Sequence, residues 1–376
     1  MILDHTILRR LTPISLAMAA RLFPERVQAH PYLPGEQVTV PPISCGVTGL
    51  EGMTLRQSPP DGANTTVYNA APIDRYVVFG ATVHSRLGFV TCGDLLFSDF
   101  LDHVPLHDMP GAGPAQDGGW MFADVTPQMR LAHGVHLMTT NLDNYYHWTI
   151  DLLSRFDATL CRPQPPLPRP VLIVSAPRAG WQVESLALLD LGDTPVITLD
   201  HGAVATVSRL VVVPGLAGGG FFPTPLLLRN FLAWRTRLAR GTDGPRRLYI
   251  SRRDSDQRRL VNEDAVIDVV RRAGYTVVTL SGMSVVEQIR LFAGAARIVA
   301  PHGAGLTNIV YCGEGTSLLE LHMDGYVQWA FRRLAGIAGL RYGCVIGQTC
   351  EPWHDWPHVN TWRIDPDAVA AALAAM

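Results

Sequence analysis

The chain contains no lysine: all 31 of its basic residues, among 376, are arginine. That absence excludes lysine Schiff bases, a pyridoxal-phosphate anchor and the phosphate-gripping lysine of a Walker A loop. Any anion site must therefore use arginine, histidine or backbone N–H groups. Cysteine is sparse. Cys45, Cys92, Cys161, Cys312, Cys344 and Cys350 form no CxxC pair, so neither a thiolate zinc site nor a disulfide framework is supported and free thiols are expected. No apolar run approaches the roughly 18 residues of a membrane span. Residues 1–24 are interrupted by Arg9, Arg10 and Arg21 and lack the continuous core of a secretory signal. The expected setting is the cytoplasm, with work at the inner face of the membrane as a variant. One glycosylation triplet, Asn64-Thr65-Thr66, is no more than chance provides.

A charge excess is also missing. The net charge of −2 argues against general nucleic-acid binding. With 47% hydrophobic and 17% charged residues, a large core is available and broad disorder is not expected. Two motifs are absent: no GxGxxG opens a helix after a strand, and no GxSxG nucleophile elbow occurs. The reading therefore names no cofactor and no metal.

What is present is an alternation of strands and helices. Residues 1–70 are rich in proline and glycine. Tyr76–Phe79 and Leu87–Thr91 read as short paired strands, and residues 108–119 as a loop. From His136 the chain alternates: strand His136–Thr140, helix Tyr145–Leu160, strand Val171–Ser175, helix Trp181–Leu191, then strands Pro195–Leu199 and Leu210–Val213. Helix Pro225–Ala239 leads to a linker at residues 241–245. A second block follows, with strands at Arg247–Ser251, Tyr275–Leu280, Arg297–Ala300 and Ser317–Leu321 and helices at Glu263–Ala273, Val285–Ala293 and Leu306–Cys312. Helices Val327–Ala338 and Pro366–Ala374 close the chain. Alternation of this kind implies parallel sheets with crossover helices. The expected fold is α/β, with two Rossmann-like domains facing a cleft and a small antiparallel element near the start of the first. The expected domains are 1–240, 246–345, and a tail, 346–376, that packs back towards the first domain.

The segment Ala300-Pro301-His302-Gly303-Ala304-Gly305-Leu306-Thr307-Asn308 leaves a buried strand and enters a helix. Its glycines let backbone approach a ligand, and its helix start offers N–H groups to an anion such as phosphate. His302, Thr307 and Asn308 could donate to the same anion, although His302 also suits a structural role. Ser251-Arg252 ends the first strand of the second block, at the edge where α/β sheets bind ligands, and an arginine there can grip a diphosphate. Arg259 is a second candidate. Asn262, Glu263 and Asp264 read as a helix cap and first turn. Glu320, near the end of the next strand, could accept from two ribose hydroxyls or pair with an arginine. In the first block, His147, Asp151 and Arg155 recur at helical spacing beside an apolar stripe of Trp148, Leu152 and Phe156. His147 and Asp151 could deprotonate a hydroxyl; a salt bridge of Asp151 to Arg155 is the plainer alternative.

Taken in order, Tyr146-His147-Trp148, Asp151, Ile250-Ser251-Arg252, Arg259, Asn262-Glu263, Glu287-Gln288-Ile289, Leu291-Phe292, the segment Ala300 to Asn308, and Leu319-Glu320 resemble the family 61 glycosyltransferases. The resemblance implies a GT-B fold, a nucleotide-sugar donor, often UDP-linked, held by the C-terminal domain, and inversion at the anomeric carbon. It implies a glycan acceptor and, by analogy, work on capsule, exopolysaccharide or lipopolysaccharide. Under this reading Arg252, Arg259, His302, Gly303, Ala304, Gly305, Thr307 and Asn308 hold the donor diphosphate without a metal, Glu320 holds the ribose, and Asp151 or His147 is the base. Two other readings stay open: a nucleotide-sugar epimerase on the same scaffold, and a non-catalytic glycan-binding module.

Overall fold

The computed structural model describes residues 8–46, 65–85, 88–100, 112–114, 120–123, 126–139, 141–156, 158, 170–216, 222–241 and 244–376. Cys161 and Asn64 lie outside them, as do parts of the linker at 241–245. The chain divides into two compact units, Met1–Gly35 with Ala71–Gly219 and Glu36–Ala70 with Gly220–Met376. The second unit thus takes residues 36–70 and 220–240, which a contiguous division at residue 240 assigns to the first. Among the described residues no helix is long and apolar enough to cross a membrane, and the five described cysteines are free thiols.

The first unit is built on an eleven-stranded mixed sheet. Its parallel part runs in the order Val196–Leu199, Val171–Ser175, Met129–Leu137, Val204–Val212. Leu172, Ile173 and Val174 are fully buried, as expected of a strand covered on both faces. Beyond Val204–Val212 the sheet continues through the antiparallel strand Ile73–His84, which also pairs with Phe89–Cys92. The antiparallel element is far larger than the small one expected. Leu8–Ile14 and Val27–Leu33 both join it, and Ala112–Pro114, expected as loop, pairs with Trp120–Ala123. Arginine and proline inside LRRLTPI and VQAHPYL hide the alternation that would have revealed these strands.

The helix expected over Tyr145–Leu160 is not a regular α-helix. It is a π-helix over His147–Leu152 and a 3-10 helix over Leu153–Arg155. Trp148, Leu152 and Phe156 are buried, and the Trp148 indole donates to Ser185 Oγ at 2.8 Å. The change of pitch turns Arg155 inward. Its guanidinium donates to the carbonyls of Met138 and Val213 instead of pairing with Asp151.

The second unit holds a six-stranded sheet. Its strands are β1 (Arg247–Ile250), β2 (Thr276–Val278), β3 (Arg297–Pro301), β4 (Ser317–Met323), β5 (Arg341–Thr349) and the short antiparallel β6 (Trp362–Arg363). Helices α1 (Glu263–Arg272), α2 (Val285–Gly294), α3 (Ala330–Ile337) and α4 (Pro366–Ala375) accompany them, and the helix Arg229–Leu238 belongs to the same unit. β1 to β5 are parallel and lie in the order 2-1-3-4-5. In this order the crossovers leave β1 and β3 in opposite directions, which opens a crevice beyond their carboxyl ends. α2 starts with a capping box: Ser284 Oγ accepts the Glu287 N–H and the Glu287 carboxylate accepts the Ser284 N–H. Asn262 does not cap α1 with its side chain, which is bonded instead to both polar backbone groups of Ile364. The tail helix α4 buries Val369, Ala372 and Leu373 in the core of the second unit. Residues 36–70 are tied to the same unit, where Arg332 donates to the carbonyls of Pro41 and Thr65.

Candidate active site

The crevice of the second unit carries most of the residues singled out in the sequence. β1 and β3 pair with Leu248 opposite Ile298 and Tyr249 opposite Val299. Carrying that register past the strand ends sets Arg252 beside His302 and Gly303. The structure makes the contact: a Cβ placed on Gly303 would fall on the Arg252 guanidinium. Glycine is required here for room, since the backbone at Gly303 is extended. Gly305 is likewise restricted, because a Cβ there would press on Leu280.

Arg252 is held from behind. Glu263, expected only as a helix-start carboxylate, is buried, and its Oε1 accepts from Tyr249 Oη (3.1 Å), Ser251 Oγ (2.8 Å) and the Arg252 N–H (3.2 Å). The guanidinium Nη2 donates to Ser255 Oγ and the Gln257 carbonyl. Its Nε is buried with no partner. Burial, and then the neighbouring Arg258, lower its pKa to about 10.

Arg258, which the sequence reading passed over, approaches this cluster. It has the left-handed φ of 50°, the one positive value among the described non-glycine residues. Its Nη1 lies 2.5 Å from His358 Nδ1, its guanidinium sits 4.9 Å from the Tyr326 ring centroid, and its Nε is also buried without a partner. Among the described residues, neither Arg252 nor Arg258 forms an ion pair with a carboxylate. Arg259 is exposed, and its carbonyl accepts from the Trp362 N–H.

His302 directly follows β3, and continuing the period-two alternation puts it on the same sheet face as Glu320 and His322 of β4 and Tyr342 of β5. His302 Nδ1 lies 2.6 Å from Glu320 Oε1, Tyr342 Oη donates to Glu320 Oε2 at 2.7 Å, and His322 Nε2 lies 3.1 Å from Tyr342 Oη. Glu320 is fully buried and the His302 side chain is 11% exposed. Both oxygens of Glu320 are thus engaged inside the sheet, with histidine and tyrosine rather than arginine. Burial pushes the carboxyl up, but His322 and His302 more than reverse it and hold it well below the usual carboxylate range. Burial lowers His302 to about 4 even though Glu320 draws it the other way. A neutral His302 that donates Nδ1–H to the carboxylate presents Nε2 as its remaining polar atom. By donor type, His302, Glu320 and His322 could also surround a cation; in the structure their facing atoms bond within the cluster.

The turn after His302 is a 3-10 helix, Ala304–Tyr311, in place of the α-helix expected from Leu306. Its first internal bond runs from Leu306 N–H to the Gly303 carbonyl, so the N–H groups of Ala304 and Gly305 precede the ladder. Asn308 is buried and donates to Gln288 Oε1 (2.9 Å) and the Gly305 carbonyl (3.2 Å). Thr307 is fully buried and its Oγ1 has no partner. Both side chains point into the packing of the turn, whereas His302, Ala304 and Gly305 stay partly accessible.

In the first unit, the π-helix brings His147 Nδ1 within 2.6 Å of Asp151 Oδ2, with both side chains part-exposed at 14% and 28%. The Asp–His pair is therefore real, and the Asp151–Arg155 alternative is not formed. Wider helical pitch of this kind recurs at functional sites, because it re-aims side chains that a regular helix would stack.

The family described as Glycosyltransferase 61 matches residues 145–319, a span that runs from Tyr145 past Asn308 and stops one residue short of Glu320. That stretch is similar to the family 61 glycosyltransferases. A beta-1,2-xylosyltransferase of Arabidopsis thaliana is similar to this chain, with 29% identity over 130 residues. The similarity covers 31% of this chain and 22% of the plant protein's length. The glycosyltransferase match thus includes both the Asp–His pair and the arginine-lined turn.

Two outcomes follow from Glu320 and its neighbours. Glu320→Ala strips His302 and Tyr342 of their acceptor, leaves two buried donors unsatisfied and is expected to destabilise the fold by about 2–6 kcal/mol, read from denaturant unfolding. A cost below about 1 kcal/mol would show that the cluster is not what holds these strands together. The second outcome concerns acid. His302, and His84 in the first unit, ordinarily protonate near 6.5 but are lowered by burial to about 4 in the folded chain. Between those values the unfolded chain binds more protons, so stability falls as pH drops from about 6.5 to about 4. Unfolding midpoints at pH 7 and pH 5 test this; equal midpoints would mean that the histidines titrate as they do in free peptides.

Proposed function

We propose that the protein is an inverting glycosyltransferase that moves a sugar from a nucleotide diphosphate, UDP in the first instance, to a glycan hydroxyl. The observation that carries this reading is the pair Arg252 and Arg258. Two part-buried guanidiniums stand together beside an accessible turn, with no carboxylate paired to either. Like charges so placed are stabilised by an anion, and a diphosphate matches two guanidiniums and the N–H groups of Ala304 and Gly305. The 2-1-3-4-5 sheet order puts them at the edge where such sheets bind nucleotides. The proposed architecture is GT-B, with the donor on the second unit and the acceptor on the first.

In the proposed reaction the acceptor oxygen attacks the anomeric carbon. The bond from that carbon to the diphosphate oxygen breaks, and the electron pair leaves with the diphosphate. Arg252, Arg258 and the turn amides stabilise the charge that grows on the leaving group. His302 gives its one N–H to Glu320, so its Nε2 accepts, and it is suited to a hydroxyl of the donor rather than to the leaving group. The acceptor proton passes to His147. With Nδ1–H donated to Asp151, its Nε2 carries the lone pair, and Asp151 orients and stabilises the imidazolium that forms. Charge neutralisation by arginine makes the proposed transfer metal-independent. The name of the plant relative makes UDP-xylose the first donor to try. A setting in the cytoplasm, at capsule, exopolysaccharide or lipopolysaccharide synthesis, completes the proposal.

Arg252→Ala is expected to abolish UDP binding in calorimetry; wild-type affinity in that variant would overturn the donor site. Gly303→Ala, which forces the guanidinium aside, should weaken UDP binding at least tenfold without unfolding the protein. His147→Ala and Asp151→Asn should leave UDP binding intact and slow transfer by about 10²–10⁴-fold, the range for a lost general base. EDTA should leave turnover unchanged. Incubating UDP-xylose without acceptor separates this reading from an epimerase, which would alter the sugar with no acceptor present.

A further inference from the structure

Trp356 is 62% exposed, the most exposed of the large hydrophobic residues described. The loop that carries it is nonetheless well braced. Asn360 is buried and bonds both polar backbone groups of His354, at 2.9 and 2.8 Å. Pro357 is buried, and the Arg258 N–H donates to the His358 carbonyl at 3.0 Å. Trp353, three residues earlier, lies against Gly325, where a Cβ would clash with its ring. The backbone is thus fixed on both sides of an indole left in solvent. Leaving so large an apolar ring uncovered forfeits burial free energy that a bound partner would recover.

The surroundings indicate which partner. The Trp356 ring lies 4.6 Å from the His358 ring, and His358 is in turn 2.5 Å from the Arg258 guanidinium and 5.1 Å from the Tyr326 ring. Tyr326 stands 5.5 Å from His302. A continuous row of rings therefore runs from the cationic turn to Trp356, with a cation at one end and a largely exposed indole at the other. A nucleoside diphosphate has the matching polarity, with two phosphates at one end and a flat heteroaromatic base at the other.

We propose that Trp356, backed by His358, is the stacking platform for the base of a nucleoside diphosphate whose phosphates lie on Arg252 and Arg258. The proposal rests on the donor-site reading above and extends it to the nucleoside. Stacking is tolerant of base identity, because each base offers a π-face. The platform supplies affinity, and choice between bases falls to other contacts.

Calorimetry of the full chain with UDP, GDP and inorganic pyrophosphate tests the proposal. Trp356→Ala should weaken the nucleotides about tenfold, on the scale of one base–aromatic stack, and leave pyrophosphate within twofold. Trp356→Phe should recover most of the loss. Undiminished nucleotide binding by Trp356→Ala overturns the platform while the arginine site stands. Equal weakening of nucleotide and pyrophosphate also overturns it, since the indole would then only brace the Arg258 loop. A Trp356→Ala variant that binds nucleotide normally but loses affinity for the glycan acceptor would assign the ring to a sugar instead. If the wild-type chain binds neither UDP, GDP nor pyrophosphate, the donor-site reading falls together with the platform.

Discussion

Two part-buried guanidiniums, Arg252 and Arg258, repel each other, and among the described residues neither forms an ion pair with a carboxylate. Much of the second unit's local architecture maintains this costly arrangement. Glu263 fixes the backbone at Arg252 from beneath, Gly303 leaves space for the side chain, and the left-handed turn at Arg258 aims the second arginine at His358. Burial already depresses both arginines, and Arg258 depresses Arg252 further. A fold that sustains such repulsion in the resting state gains when an anion arrives, and the same energy is then available to stabilise charge on a leaving group.

Behind the arginines lies the Glu320 cluster, which does a different job. A fully buried carboxylate is tolerable only when its lone pairs are used, and here strands β3, β4 and β5 each contribute to that end. Through Glu320 the orientation of His302 depends on Tyr342, two strands away. The cationic rim is thereby attached to the rigid centre of the sheet and not to a surface loop.

The parallel core and most of its helices were legible from apolar runs broken by glycine and proline. Arg247–Ile250, Val285–Gly294 and Ser317–Met323 all fall within a few residues of their expected bounds. The meeting of Arg252 with the His302–Gly303 turn could be inferred because both end strands of one sheet. What was hidden depended on tertiary partners. Nothing local separates Arg258 from Arg259, since the difference is a backbone φ imposed by contacts with residues 358–362. Glu263 looks like a helix-start acid until Tyr249 and Ser251 surround it. Glu320 looks like a ligand contact until Tyr342 arrives on β5, a strand absent from the sequence reading. In the first unit, the shift to π pitch at His147 was invisible for the same reason: Arg155 turns inward to carbonyls of distant strands.

The missing lysine has a chemical sequel at this rim. Burial and repulsion bring Arg252 to about 10, and at that value the side chain still carries its full charge at neutral pH. An ammonium with an ordinary value near 10.4, lowered by the same amount, would titrate near 8, within reach of everyday changes in acidity. By relying on guanidinium alone, the protein can crowd its cations without turning them into a proton-operated valve.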